Sequence, residues 1–238
     1  MTGTSEVPAF PADTAPRPAF YLAPHPSTPC EAVRSIGVQV ARAPGGRLPL
    51  TAGWLQLTYV VEGDMARVRV PRPALPRRTD GLWWHTCFEA FLAADAAPAR
   101  ARDTIPATPW DAGSDAAPGA GSDAAPSAAP AAGRARRPRY FELNFSPSGA
   151  WACYGFTGYR EGMAPVDCFA PPAIEITSEQ PWTLRCAVRL PAAATSQPMR
   201  IALAAVIEEA DGRLCYWALR HPPGKPDFHA AEGFALTI

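Results

Sequence analysis

The chain has 238 residues, 47% of them hydrophobic, and its 22 basic residues balance its 22 acidic ones. That length and apolar content suit one large or two small domains with a sizeable core, while the zero net charge provides no global field that would favour nucleic acid or an anionic membrane. No apolar run approaches the ~20 residues that span a bilayer, so neither nucleic acid nor a membrane is expected as a partner.

Residues 1–30 carry acidic and proline residues where a secretory signal needs a basic start and an apolar stretch of about 7–15 residues; they read as a loose tail on a cytoplasmic protein. Residues 35–40 alternate apolar and polar, residues 41–49 supply a Gly-Gly turn, and residues 54–61 alternate again. A tight turn at Glu62, Gly63 and Asp64 predicts that residues 66–70 return as the second strand of a hairpin. A proline-rich loop over 71–78 leads into residues 82–92, a strand-like run in which His85, Cys87 and Glu89 share one face.

Residues 95–138 are almost entirely Ala, Pro, Gly, Ser, Asp and Arg, and the hexapeptide Gly-Ser-Asp-Ala-Ala-Pro at 113–118 recurs at 121–126. Such a composition cannot bury enough apolar surface to offset the entropy of ordering it, which predicts a long disordered loop insertion. Its basic run, Arg134, Arg136, Arg137 and Arg139, lacks the interleaved aromatic residues of a single-strand binder and reads as a solvated edge. Without the insertion about 190 residues remain, enough for a single domain over 31–238.

Beyond the insertion, residues 140–145 put Glu142 and Asn144 on one strand face with Tyr140, and Phe141, Leu143 and Phe145 on the other. One face can pack and the other can bind. With the insertion in a hairpin loop, this strand neighbours residues 82–92. Ser146, Pro147, Ser148 and Gly149 then turn the chain into 151–156. Residues 182–190 form the clearest amphipathic strand, with Leu184, Cys186, Val188 and Leu190 inward and Thr183, Arg185 and Arg189 outward. Residues 199–207 are apolar without alternation, as a strand covered on both faces or a short helix would be. Asp211 and Gly212 turn the chain into 214–219, and residues 233–238 supply one more strand. Many short strands, frequent turns and no helical period predict an all-β fold, an antiparallel β-sandwich. The six cysteines include no Cys-x-x-Cys pair, so no zinc knuckle or thioredoxin motif is present, and in a reducing compartment they serve as small buried hydrophobes.

Three places collect groups without an obvious packing duty. His85, Cys87 and Glu89 have ligand-type side chains, but three alternating positions extend over ~13 Å, too far for one metal ion at bond lengths of ~2 Å; no metal is assigned, and hydrogen bonding to neighbouring strands accounts for them. Glu89 and Glu142, with Asn144, form an acidic and amide group that could bind sugar hydroxyls or act as an acid and base pair, as in glycosidases where separations of ~5 or ~6.5–9.5 Å decide the outcome. Gly-x-Ser-x-Gly, Gly-x-Gly-x-x-Gly and phosphate-cradling loops are absent, which favours binding over catalysis. The third place is the loop 220–229, stiffened by three prolines, where His221, Lys225, Asp227 and His229 are either binding groups on a rigid loop or the caps of a crossover. Trp83, Trp84, Trp151 and Trp217 divide between core and ring faces on which a sugar can stack.

The runs at 83–91, 142–151, 158–163 and 221–229 resemble the bacterial DOMON-like proteins, relatives of family 9 carbohydrate-binding modules. The resemblance covers the chain outside the N-terminal tail and the insertion, and implies an immunoglobulin-like two-sheet antiparallel β-sandwich that binds sugar or haem. For a sugar it points to Trp83 or Trp84 with Glu89, Glu142, Asn144 and a lysine, here Lys225. For a b-type haem it points to Met163 with His221, His229 or Lys225. The expectation is a non-catalytic module for a saccharide or other small polar ligand, with no cofactor, using Trp83, Trp84, His85, Glu89, Glu142, Asn144, Lys225 and Asp227. The alternatives are a haem protein and a glycoside hydrolase-like enzyme.

Overall fold

The computed structural model describes residues 17–43, 53–94, 139–167, 170–178, 181–190 and 198–238. Residues 95–138, the expected insertion, and most of the Gly-Gly turn lie outside them. The described residues form strands β1 (Phe20–Pro24), β2 (Val33–Ala43), β3 (Trp54–Gly63), β4 (Cys87–Ala94), β5 (Tyr140–Phe145), β6 (Trp151–Phe156), β7 (Ala164–Pro165), β8 (Ala173–Thr177), β9 (Trp182–Arg189), β10 (Met199–Glu208), β11 (Leu214–Ala218) and β12 (Leu236–Thr237). Helical structure among them is limited to short 3-10 turns. The fold is all-β, as its many short periodic runs predict.

Every strand pair is antiparallel, in the order β7-β6-β5-β4-β10-β11-β1-β2-β3-β9-β8, with β12 beside β10. The sheet curls, and β1 joins its halves: Phe20, Tyr21 and Leu22 pair with β2, while Ala23 and Pro24 pair with β11. Across the curl the two halves share one core. Tyr59 of β3 meets Phe88 of β4 at 4.9 Å between ring centroids, and Phe88 stacks on Trp182 of β9 at 5.7 Å. The Tyr59 hydroxyl donates to the main-chain oxygen of Glu89 at 2.8 Å, so the same ring that fills the core also satisfies its polar end.

The half built from β6, β5, β4, β10 and β11 is covered on both faces. Phe88, Ala90, Leu92, Leu143, Phe145, Ile201, Leu203 and Ile207 enter the shared core. Phe91, Tyr140, Tyr154, Phe156, Ala202 and Ala204 instead meet Leu82 and Phe234 in a second apolar cluster on the opposite face. This double burial explains why residues 199–207 do not alternate. β4 and β5 are hydrogen-bonded neighbours, with Glu89 opposite Asn144 and Phe91 opposite Glu142, as expected from a hairpin interrupted by the insertion.

Several local expectations differ from the structure; among them, the strand expected over 233–238 is reduced to Leu236–Thr237 and Thr183, expected outward, is buried. Residues 66–70 do not return as a hairpin strand: Met65–Arg67 is a 3-10 turn capped by Asp64, and Val68 makes a single bridge to Glu209. Both edges of β3 are already taken by β2 and β9, so a further strand has nowhere to pair. The run from 82 begins as a 3-10 turn, Leu82–Trp84, entered through Gly81 at φ 72, a left-handed conformation that glycine adopts without strain; the strand starts only at Cys87. Within the stretch read as a tail, Phe20–Pro24 forms β1. Its pattern is faint because only Leu22 is buried, and its backbone pairing on both edges leaves no compositional mark.

Candidate ligand pocket

The second apolar face opens into a pocket of about 560 Å³. Its floor is sheet: Glu89 from β4, Glu142 from β5, Phe156 from β6, Val206 from β10 and Tyr216 from β11. Its walls are loops. Trp83 and Trp84 come from the turn before β4, Arg160 and Met163 from the connection after β6, and Lys225, Pro226, Phe228 and His229 from the connection between β11 and β12. The 3-10 turn after Gly81 places both tryptophans here: Trp84 is 65% exposed at the mouth, and Trp83 packs edge-on against Tyr154 at 5.9 Å.

The register of β4 and β5 sets the two acids. Glu89 faces Asn144 and Glu142 faces Phe91, so the two glutamates are diagonal neighbours on one face, about 7–8 Å apart at Cα. Both are buried. Burial pushes the Glu89 carboxyl well above the usual range, and the adjacent Glu142 charge pushes it further. Its Oε1 has no hydrogen-bond partner among the described residues. Burial also raises Glu142, but the Asn144 side chain, donating to Oε1 at 2.7 Å, and the charge of Arg160 pull it back. Two carboxyls in one low-dielectric floor resist double ionisation, and Glu142, with a donor and a nearby cation, is the one that ionises first.

Behind the acids stands a hydrogen-bonded lattice. Tyr140 accepts the main-chain N–H of Arg160 at 3.2 Å and shares a 2.9 Å hydrogen bond with His229 Nδ1. Burial and the Arg160 charge push His229 down to about 4, so its ring is neutral. The Tyr140 contact at Nδ1 orients the ring so that Nε2 lies 3.7 Å from Glu142 Oε2. Arg160 has φ 53, a conformation that costs a non-glycine residue roughly 1–2 kcal/mol and here aims its side chain at Asp227. Asp227 accepts from Arg160 Nη2 at 2.8 Å, from the Tyr159 hydroxyl and from the His229 main-chain N–H at 3.0 Å. Burial opposes the Asp227 charge, but the bonds from Tyr159 and Arg160 prevail and hold it below the usual carboxylate range.

Of the residues singled out from the sequence, Trp83, Trp84, Glu89, Glu142 and Lys225 line the pocket. Asn144, fully buried, and Asp227 support its walls from behind. His85 lies elsewhere: its Nδ1 sits 2.7 Å from Glu208 Oε2, and Arg69 takes the other oxygen. His85 caps the 3-10 turn and precedes the strand, and its partner Glu208 stands on β10 two residues beyond the pocket-lining Val206. Of the haem set, Met163 and His229 line the pocket, whereas His221 Nε2 bonds the Ala23 carbonyl at 2.9 Å and its ring abuts His25. Sequence reasoning missed Arg160, Tyr140, Tyr216 and Phe228. The glycines at 158 and 162 that bracket Arg160 were the available signal for a tight functional turn.

Among the described residues the ligand-type side chains that cluster closely enough for a metal are Cys30, Glu209 and Cys215. Glu209 Oε1 there accepts the N–H groups of Glu31 and Ala32 at 2.8 and 2.6 Å, and Arg213 lies 2.9 Å from Oε2; these contacts account for the carboxylate without an ion. No helix of the described residues is long and apolar enough to cross a membrane. Comparison with protein-family models, curated proteins and solved structures finds no match to this chain.

Proposed function

We propose that the chain is a non-catalytic ligand-binding module, a DOMON-like β-sandwich that takes a saccharide or another small polar ligand in the pocket above β4, β5, β10 and β11. The observation that carries this reading is Glu89 Oε1, a buried carboxyl oxygen without a partner in a pocket whose other walls are Trp83, Trp84, Phe156, Tyr216 and Phe228. A buried polar atom left unsatisfied costs roughly 1–3 kcal/mol, which a hydroxyl or amine from a ligand would recover. Aromatic walls with a few convergent polar groups are the usual make-up of a small-molecule site, and rings there can stack on sugar C–H faces. The thiols of Cys30, Cys87, Cys186 and Cys215, which form no disulfide, suit the reducing, cytoplasmic setting expected from the sequence.

Haem is the weaker reading, although Met163, His229 and Lys225 line the pocket. His229 is oriented by protein groups, with Nδ1 2.9 Å from the Tyr140 hydroxyl and Nε2 3.7 Å from Glu142 Oε2, and His221 is outside the pocket. The hydrolase reading has one observation in favour, the adjacency of a protonated and an ionised carboxyl on one face. It requires turnover, whereas the binding reading does not.

A screen of mono- and disaccharides against the full chain tests the proposal. The expected result is a rise in melting temperature that follows ligand concentration, absent in Trp84→Ala, with the sugar recovered intact. Release of a cleaved product would transfer the assignment to the hydrolase. Absence of saturable binding by every saccharide would overturn the module reading.

A further inference from the structure

The floor of the pocket has an unbalanced electrostatic design. Glu89 and Glu142 are both buried on one face of neighbouring strands. Of the cations that line the pocket, Arg160 is hydrogen-bonded to Asp227 through Nη2 and Nε, at 2.8 and 3.2 Å, and acts on Glu142 through its charge alone, while Lys225 is exposed at the mouth. His229 faces Glu142 as a neutral ring. The remaining titratable groups near Glu89 are the Cys87 thiol and the Tyr59 and Tyr216 hydroxyls, and none of them supplies positive charge. Tyr59 turns its hydroxyl to the main-chain oxygen of Glu89, not to its carboxyl.

A neutral hydroxyl would satisfy one oxygen but leave two acids competing for one proton. An ammonium group does more. Its N–H donors match the oxygens that lack a close donor, Glu89 Oε1 and Glu142 Oε2, and its charge lets both carboxylates ionise together. The surrounding aromatic residues Trp83, Tyr216, Phe156 and Phe228 can also attract a cation that meets a ring face.

We infer that the pocket selects an amino saccharide, whose primary ammonium group sits between the Glu89 and Glu142 carboxylates while its ring lies against the aromatic walls. The inference rests on the saccharide reading and narrows it to a cationic member of that class. Binding is written as an exchange: the ligand enters as R–NH3+, Glu89 gives its proton to solvent, and the complex holds one ammonium against two carboxylates.

The test is calorimetric titration of the full chain with glucosamine, galactosamine and a fully deacetylated chitosan trimer, each paired with its neutral parent or N-acetylated counterpart. The expected result is at least tenfold tighter binding of an amine than of its neutral pair. Titrations in buffers of different ionisation enthalpy should show release of up to one proton per ligand bound. Glu89→Gln should reduce the affinity for the amine by at least tenfold more than it reduces that for the paired neutral sugar. Neutral sugars that bind as tightly as their amines, or amine binding without proton release, would overturn the ammonium site and leave the saccharide reading standing. If no sugar of either kind binds, both fall.

Discussion

The Tyr140 hydroxyl lies 2.9 Å from His229 Nδ1 and accepts the Arg160 N–H at 3.2 Å, so one oxygen of β5 organises the two loops that wall the pocket. Tyr140→Phe keeps the ring, which stacks on Phe156 at 4.8 Å, and removes both bonds. The expected cost is roughly 1–3 kcal/mol, read as a lower urea midpoint with an unchanged slope. Wild-type stability in this variant would mean that the hydroxyl is equally well satisfied by water.

Acid should weaken the protein partly through His229. Its folded value of about 4 lies below the unfolded value of ~6.5, so between these limits the unfolded chain binds the extra proton. Stability therefore rises with pH across that window and is lost on acidification through it, by on the order of 3 kcal/mol. Unfolding free energies measured from pH 4 to 7 should show a shallower slope in His229→Gln than in the wild type; identical slopes would assign the effect to other groups.

Glu89 has the opposite sign. Its folded value is raised, so the folded chain keeps a proton that the unfolded chain gives up, and stability declines as pH rises above the usual carboxylate value. Glu89→Gln preserves the shape and removes the ionisation. The variant is expected to melt at a higher temperature than the wild type at pH 7, with the difference shrinking toward pH 4. A lower melting temperature at pH 7 would show that the carboxylate has a partner in the folded protein. Such a gain in stability alongside a loss of binding is the ordinary trade at a functional site.

The tryptophans separate structure from binding. Trp182 is 4% exposed and stacked on Phe88, so Trp182→Ala should cost about 3–5 kcal/mol. Trp84, 65% exposed, should change stability by no more than about 0.5 kcal/mol when replaced by alanine while weakening ligand binding. Thermal melts of the two variants, with and without ligand, make the comparison.

Periodicity made most of the sheet legible. Leu184, Cys186 and Val188 alternate inward as expected, and the polar face of residues 140–145 gave Glu142 and Asn144 their correct side because a strand has only two. Where pairing is specified by partners and not by side-chain pattern, the sequence was silent. β1 is one case and the missing strand at 66–70 another, since available edges are a property of the whole sheet. The pocket was half legible for the same reason. Glu89, Glu142 and the tryptophans sit in patterned runs, but Arg160 and Tyr216 reach the site only once the loops are folded over β5 and β11.

The position of β1 has a consequence for the order of folding. Residues 20–24 complete the sheet only by meeting β11, residues 214–218, which are synthesised long after them. Until then the edges of β2 and β11 that β1 covers remain open, and unpaired edges are where strands of different chains find each other. Slow closure is expected of so distant a pairing, and the interval before it is when nascent copies of this protein are most exposed to mispairing.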